Sequence, residues 1–243
     1  MSTPEVSIIV PAYNEEELIL STLDGIRDYF KMRSESYELI VVDDGSRDKT
    51  VPLMEEWRTR TNANLRILVN ERNMGKGFSV RHGVEASLGN YLIFIDADLP
   101  YELDAIDGFL KTLREGYDLA IGSRVVPGSA VTGVPPLRFI AGQIFSWMVQ
   151  LFLFLGVRDT QCGFKSFKAS AAREIMRRLT IGGFGFDVEL LFVARKLKYS
   201  IQPVAVRMIH HRLGSRVRLV SHSLEMLSDL LRIRQNDWLG RYN

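Results

Sequence analysis

Two aspartates one residue apart, Asp96-Ala97-Asp98, close the apolar run in YLIFIDADLPYE. Carboxylates this close repel each other, so a positive partner must sit beside or between them. Mg2+ or Mn2+ suits that place, because such ions take hard carboxylate oxygens and share them with substrate phosphates. Asp98 and Asp96 are therefore the candidate metal ligands. The plainer alternative has Asp98 capping the next helix, with Pro100 near its first turn. That accounts for one aspartate and leaves the other unexplained.

The other apolar runs end in polar clusters too. VSIIV leads to Pro11-Ala12-Tyr13-Asn14-Glu15 and YELIVV to Asp43-Asp44-Gly45-Ser46; LRILV leads to Asn73-Met74-Gly75-Lys76-Gly77 and YDLAI to Gly122-Ser123-Arg124. Ser46 is a plausible cap for the following helix, and Asp44 suits the turn itself. Arginines gather later: Arg124, Arg138, Arg158, Arg212, Arg216 and Arg218, the last three with His210 and His211 in HHRLGSRVR. Guanidinium forks match phosphate oxygens. Cations opposite a carboxylate–metal tip are what a diphosphate leaving group requires.

Other chemistries fail on spacing. NMGKGFS lacks the earlier glycine of a phosphate-binding P-loop, and GKGFSV has Val80 where a dinucleotide fingerprint needs its third glycine. No paired-cysteine or His-x-x-Glu-His spacing points to zinc. A net charge of +2 argues against nucleic acid as a partner. The single cysteine, Cys162, permits no internal disulfide and reads as a small buried residue in a reducing compartment.

The elements that must position these residues alternate. Five short β-branched runs fit strands of a parallel sheet buried on both faces, and helical stretches near 16–32, 49–61, 77–88 and 103–115 separate them. The pattern predicts an α/β, Rossmann-like, mostly parallel sheet flanked by helices, with ligands outside the carboxyl ends of its strands. The second half opens on a Gly- and Pro-rich loop, 125–138. It continues with a 144–157 apolar stretch, IFSWMVQLFLFLGV, helices near 169–179 and after GGFGF, and a possible strand in IQPVAVRMI. A closing helix over 219–236 should place Leu219, Leu224, Leu227, Leu231 and Ile233 on one face. The 243 residues read as one domain, with a donor-binding half to about 124 and an acceptor half from about 125 that carries the C-terminal helical extension.

The 144–157 stretch is too short to cross a bilayer, and Gln150 interrupts it. It fits either a core helix or a helix lying at a membrane interface, with Arg138 at its start and Trp147 as anchor. The N-terminus runs directly into a strand and is expected not to be a signal peptide.

SIIVPAYNEEE, ELIVVDDGSRDKT, NMGKGFSVRHG, GNYLIFIDADL and GSR, in this order, resemble the successive motifs of family 2 inverting glycosyltransferases with a GT-A fold. RDTQCGFKSFK, GFDVELLFVARK, GSRVRLVSHSLEMLSDLLRIR and WLGRY are similar to the dolichyl-phosphate β-glucosyltransferases, and less so to the dolichyl-phosphate mannose synthases. The resemblance implies a nucleotide-sugar donor, UDP-glucose favoured over GDP-mannose, and a polyprenyl phosphate acceptor. It places Pro11, Tyr13, Glu15 and Asp43 around the nucleoside and Asp96 near the ribose or sugar. Asp98 falls on the metal, Arg212 and Ser215 on the diphosphate, and Arg124 and Arg138 on the acceptor phosphate. Asp44, Lys76 and Ala97 complete the expected donor set. One departure stands out: mannose synthases commonly have glutamine where this chain has Pro100, which has no side-chain ligand to offer.

A phosphate monoester, with its second pKa near ~6, is largely a dianion at neutral pH and needs positioning more than a base. A hydroxyl acceptor would need one, and Asp187 and Glu189 are the available carboxylates, against the plainer readings of a helix cap and a salt bridge. The rival outside enzymes is a nucleotide-sugar-binding partner subunit. Peripheral contact at the cytoplasmic membrane face, through 144–157, completes the expectation.

Overall fold

The computed structural model describes residues 3–132, 136–183, 185–209 and 219–243, and their side chains except those of 136–141 and 219–226. Among these, seven strands form one sheet in the order β3-β2-β1-β4-β6-β5-β7. They are β1 (Val6–Ala12), β2 (Tyr37–Asp43), β3 (Leu65–Val69), β4 (Tyr91–Ile95), β5 (Leu119–Ser123), β6 (Phe164–Lys168) and β7 (Ile201–Ala205). Neighbours run parallel except at β6, which lies antiparallel to both β4 and β5. The chain builds outward from β1 to β3, then returns to place β4 on the other side of β1. That reversal is where open α/β sheets bind ligands.

The sheet is covered on both faces, as its continuous apolar strands require. On one face α1 (Ile19–Lys31), α2 (Thr50–Thr61) and α4 (Ala105–Arg114) bury Leu23, Trp57 and Phe109 against Val10, Val41 and Ile93. On the other, α3 (Lys76–Ala86), α5 (Pro136–Leu153), α6 (Ala169–Met176), α7 (Phe186–Lys196) and α8 (Leu219–Trp238) share a core with Ile9, Phe94 and Phe167.

Several expectations change. β6 is not among the strands read from the sequence: FKSFK is short, and its two lysines hide that four of its five residues are buried. α5 begins at Pro136, inside the expected loop, and ends at Leu153. The apolar stretch divides by face: Phe145, Val149 and Leu153 are buried in the core, as a core helix requires, whereas Ile144, Trp147 and Leu151 are exposed. On α8 the inward residues are Leu230 and Ile233, and Leu231 points outward at 56% exposure. A one-position shift turns a helical residue by about 100°, since 3.6 residues make a turn. Among the described residues no helix is long and apolar enough to cross a membrane.

Candidate active site at the carboxyl edge of the sheet

The tips of β1 and β2 are stitched together. Asn14, in the left-handed region at φ 51°, donates its backbone amide to Ser46 Oγ at 2.8 Å, and its Oδ1 accepts from the Arg47 amide. Ser46 therefore bridges two strand tips instead of capping α2, whose N-cap is Lys49. The Glu15 amide donates to Thr50 Oγ1. Pro11, Tyr13 and Glu15 are each partly exposed along this edge.

The neighbouring aspartates of β2 do different work. Asp44 receives hydrogen bonds from the Asn70 side-chain amide and from the backbone amides of Met74 and Gly75. Both its oxygens are thus engaged in holding the turn before α3. Asp43 is fully buried; Oδ2 accepts from the Ser46 amide at 2.9 Å, and Oδ1 has no partner. A buried carboxylate oxygen left unpaired costs about 1–3 kcal/mol, so Oδ1 is left to accept from a donor that the described residues do not supply.

At the tip of β4 the positive partner demanded by the two aspartates is a lysine. Lys76, the first residue of α3, places Nζ 2.5 Å from Asp96 Oδ1. Burial alone would lower the pKa of this ammonium. The charges of Asp96 and Asp187 more than reverse that, so Lys76 is raised and stays protonated. Its position is fixed by two close approaches. Gly75 lies at φ +95°, where a Cβ would come within 2.4 Å of the Gly182 carbonyl, and the Gly77 amide donates to that carbonyl. Asp96 itself packs on Gly163, whose missing Cβ would fall 1.9 Å from Asp96 Oδ2. Ala97 is buried, and its carbonyl accepts from Thr22 Oγ1. Asp98 is partly exposed and does not cap α4, whose N-cap is Asp104.

Because β6 runs antiparallel, its start brings 159–163 to this same edge. Arg124, after β5, is gripped there by Asp159: Nε and Nη2 donate to its two oxygens at 2.8 Å each, and the Arg124 amide adds a third bond. Burial would raise Asp159, but the bonds from Arg124 hold it below the usual carboxylate range. Asp187 in α7 turns to the site as well. Its Oδ1 accepts from Lys165 Nζ at 2.5 Å, and its Oδ2 lies 3.9 Å from Lys76 Nζ. It is not a cap, since the N-cap residue is Gly185. Among the described residues Glu189 is in no salt bridge: it accepts from the amides of Thr180 and Ile181 and the hydroxyls of Thr180 and Tyr242, all neutral donors.

The structure thus gathers Pro11, Tyr13, Glu15, Asp43, Asp44, Lys76, Asp96, Ala97, Asp98, Arg124 and Asp187 along one edge. Arg212, Ser215 and the other basic residues of 210–218 lie outside the described residues, as does the side chain of Arg138. The sequence reading missed Lys165, Gly163 and Asp159. A lysine between phenylalanines was a signal for the first; nothing local distinguished the other two.

The residues matching the model of glycosyl transferase family 2 are 7–178, a span that holds every strand tip above. The chain belongs to this family. It is 36% identical to a dolichyl-phosphate beta-glucosyltransferase of Dictyostelium discoideum, over 97% of this chain and 75% of that one. It is 31% identical to the human enzyme of the same name, over 96% and 75%. Among solved structures it is similar to glucosyl-3-phosphoglycerate synthase of Mycobacterium tuberculosis, crystallised with Mn2+, UDP and glucosyl-3-phosphoglycerate. The TM-score is 0.70 at 22% identity, covering 95% of this chain and 80% of that one. That likeness carries the GT-A fold.

Proposed function

We propose that this family 2 glycosyltransferase moves glucose from UDP-glucose to a polyprenyl phosphate of the dolichyl type, with inversion at the anomeric carbon. The observation that carries the donor half is the buried, unpartnered Oδ1 of Asp43 at the tip of β2, beside β1. A nucleobase N–H is a fitting donor for it, with Tyr13, Pro11 and Glu15 beside it. Relatives named for dolichyl phosphate and glucose, matched through both halves of the chain, support the choice of sugar and acceptor.

A divalent cation fits the chemistry of Asp98 and Asp96, two hard oxygen donors at one strand tip. The described residues hold no group of three His, Cys, Asp or Glu side chains that could bind it alone. Diphosphate oxygens and water would complete the shell, the habit of Mg2+ and Mn2+ at nucleotide sites. Such an ion, when bound, neutralises charge on the leaving diphosphate.

The chain's own groups do the rest. Lys76 stays charged at the tip, close to where a diphosphate would lie; the family resemblance assigns Arg212 and Ser215 to the same diphosphate. Arg124, locked by Asp159, retains an Nη1 to present to an acceptor phosphate; the family resemblance assigns Arg138 to the same phosphate. A phosphate acceptor suits this site better than a hydroxyl, because Asp187, the available base, is committed to Lys165. The exposed residues Ile144, Trp147 and Leu151 on one face of α5, with exposed Phe154 just past its end, support contact with the cytoplasmic surface of a bilayer that presents the lipid.

The test offers labelled UDP-glucose with a short polyprenyl phosphate or the matching polyprenol. Label in the phosphate lipid alone is expected. Label in the polyprenol would overturn the phosphate-acceptor reading.

A further inference from the structure

Lys165 is a lysine with no solvent exposure, in the middle of a β-sheet. Its neighbour across the β4–β6 ladder is Phe94, and its ammonium lies 5.4 Å from the Phe94 ring centroid, with the Lys76 ammonium 5.7 Å away over the same ring. Lys165 Nζ donates to the Cys162 carbonyl at 2.6 Å and to Asp187 Oδ1 at 2.5 Å. From the sheet interior to the strand tip the charges alternate: Lys165 on β6, Asp187 on α7, Lys76 on α3, Asp96 after β4. The spacing is uneven. Lys76 sits 2.5 Å from Asp96 but 3.9 Å from Asp187.

Stability is a poor reason for this row. Burying an ion costs several kcal/mol, and apolar replacement of a buried pair is often neutral or stabilising. Geometry is a better one. Asp187 and Asp96 compete for one ammonium, and Lys165 settles the competition by satisfying Asp187 from below. We propose that Lys165 is a positioning residue, which occupies Asp187 so that Lys76 stays on Asp96 at the donor end of the site.

The inference rests on the proposed function only for its activity readout. Lys165→Met leaves Asp187 with Lys76 as its nearest cation, so Lys76 should be drawn off Asp96. The tip then becomes more negative. Mn2+, followed by loss of its free-ion resonance signal, should bind several-fold tighter, and UDP without metal about tenfold weaker. The kcat/KM for glucosyl transfer should fall about 10–100-fold, as for other outer-sphere partners. The decisive variant is the double one, Lys165→Met with Asp187→Leu. It removes the competitor along with its anchor and leaves no buried charge alone, so ion and UDP affinities should return most of the way to wild type. A merely structural lysine would lower the thermal midpoint of Lys165→Met while leaving Mn2+ and UDP affinities unchanged, and the double variant would restore the midpoint alone. Unchanged Mn2+ and UDP affinities in Lys165→Met, or altered affinities that the double variant does not restore, would overturn the proposal. Lys165→Gln keeps a donor without the charge and carries the same expectation in milder form should the methionine variant not fold. The binding arms stand even if the wild type transfers no glucose, an outcome that would count against the proposed function instead.

Discussion

Lys76 Nζ lies 2.5 Å from Asp96 Oδ1, so the charge that relieves the paired aspartates comes from the start of α3, a helix packed over β1 and β2. An ammonium here does not exclude a divalent ion; it leaves Asp96 half engaged. Lys76→Met should lower kcat/KM by about 10–100-fold, the worth of a charged hydrogen bond of about 1.5–3 kcal/mol. It should also tighten Mn2+ binding, because the ion no longer meets a positive neighbour. Steady-state kinetics and a Mn2+ titration check both. Full activity would remove Lys76 from the site.

Gly163→Ala would place a methyl group 1.9 Å from Asp96 Oδ2, a position no side chain can share. Either Asp96 or the 159–163 segment must move. A displacement near 1 Å can cost about a hundredfold in rate, and overpacking costs about 1–3 kcal/mol. Turnover should fall at least that far, alongside a lowered thermal midpoint. A variant as active as wild type would show that Asp96 need not sit where it does.

These two residues show where sequence reading reaches its limit. The parallel strands, their order along the chain and the acidic tip were legible, because continuous apolar runs and turn chemistry are local signals. Asp44 was legible as a turn residue and Ser46 read as a helix cap, but their partners were not legible, since Asn14 and the Met74 and Gly75 amides arrive from other loops. Lys165 was hidden for the same reason. Its meaning depends on Asp187, which the fold brings from another element. A charge pair formed by tertiary structure leaves no periodicity to read.

Asp43→Asn tests the nucleoside seat. The orphan Oδ1 is available to accept from a ligand, and an amide there lacks the charge. UDP affinity should drop about 10–100-fold by calorimetry. Unchanged affinity would move the nucleoside elsewhere.

The Arg124–Asp159 pair gives a pH signature. Asp159 is held below its unfolded value, so its stabilisation is complete above the unfolded carboxylate pKa and disappears as pH falls through the lowered folded value. Asp159→Asn should lose about 2 kcal/mol at neutral pH, less than for a fully buried pair because Arg124 is one-third exposed. The difference from wild type should shrink on acidification below about pH 4. Denaturant melts across pH measure it; a gap that widens in acid would contradict the sign.

Cys162 should be inert. Burial pushes its thiol up to about 11, and it has no exposed surface. Alkylation of the folded protein at pH 8 should be negligible and become rapid in denaturant. Fast labelling of native protein would mean that the 159–163 segment opens.

The central claim is glucosyl transfer from UDP-glucose to a lipid phosphate at the Asp96/Asp98 tip. Its most direct measurement supplies labelled UDP-glucose and GDP-mannose in parallel, with Mn2+ and a short polyprenyl phosphate in detergent. Labelled lipid from UDP-glucose alone, abolished by Asp98→Ala, is the expected result. Labelled lipid from GDP-mannose, or UDP binding with no lipid product from either donor, would contradict it.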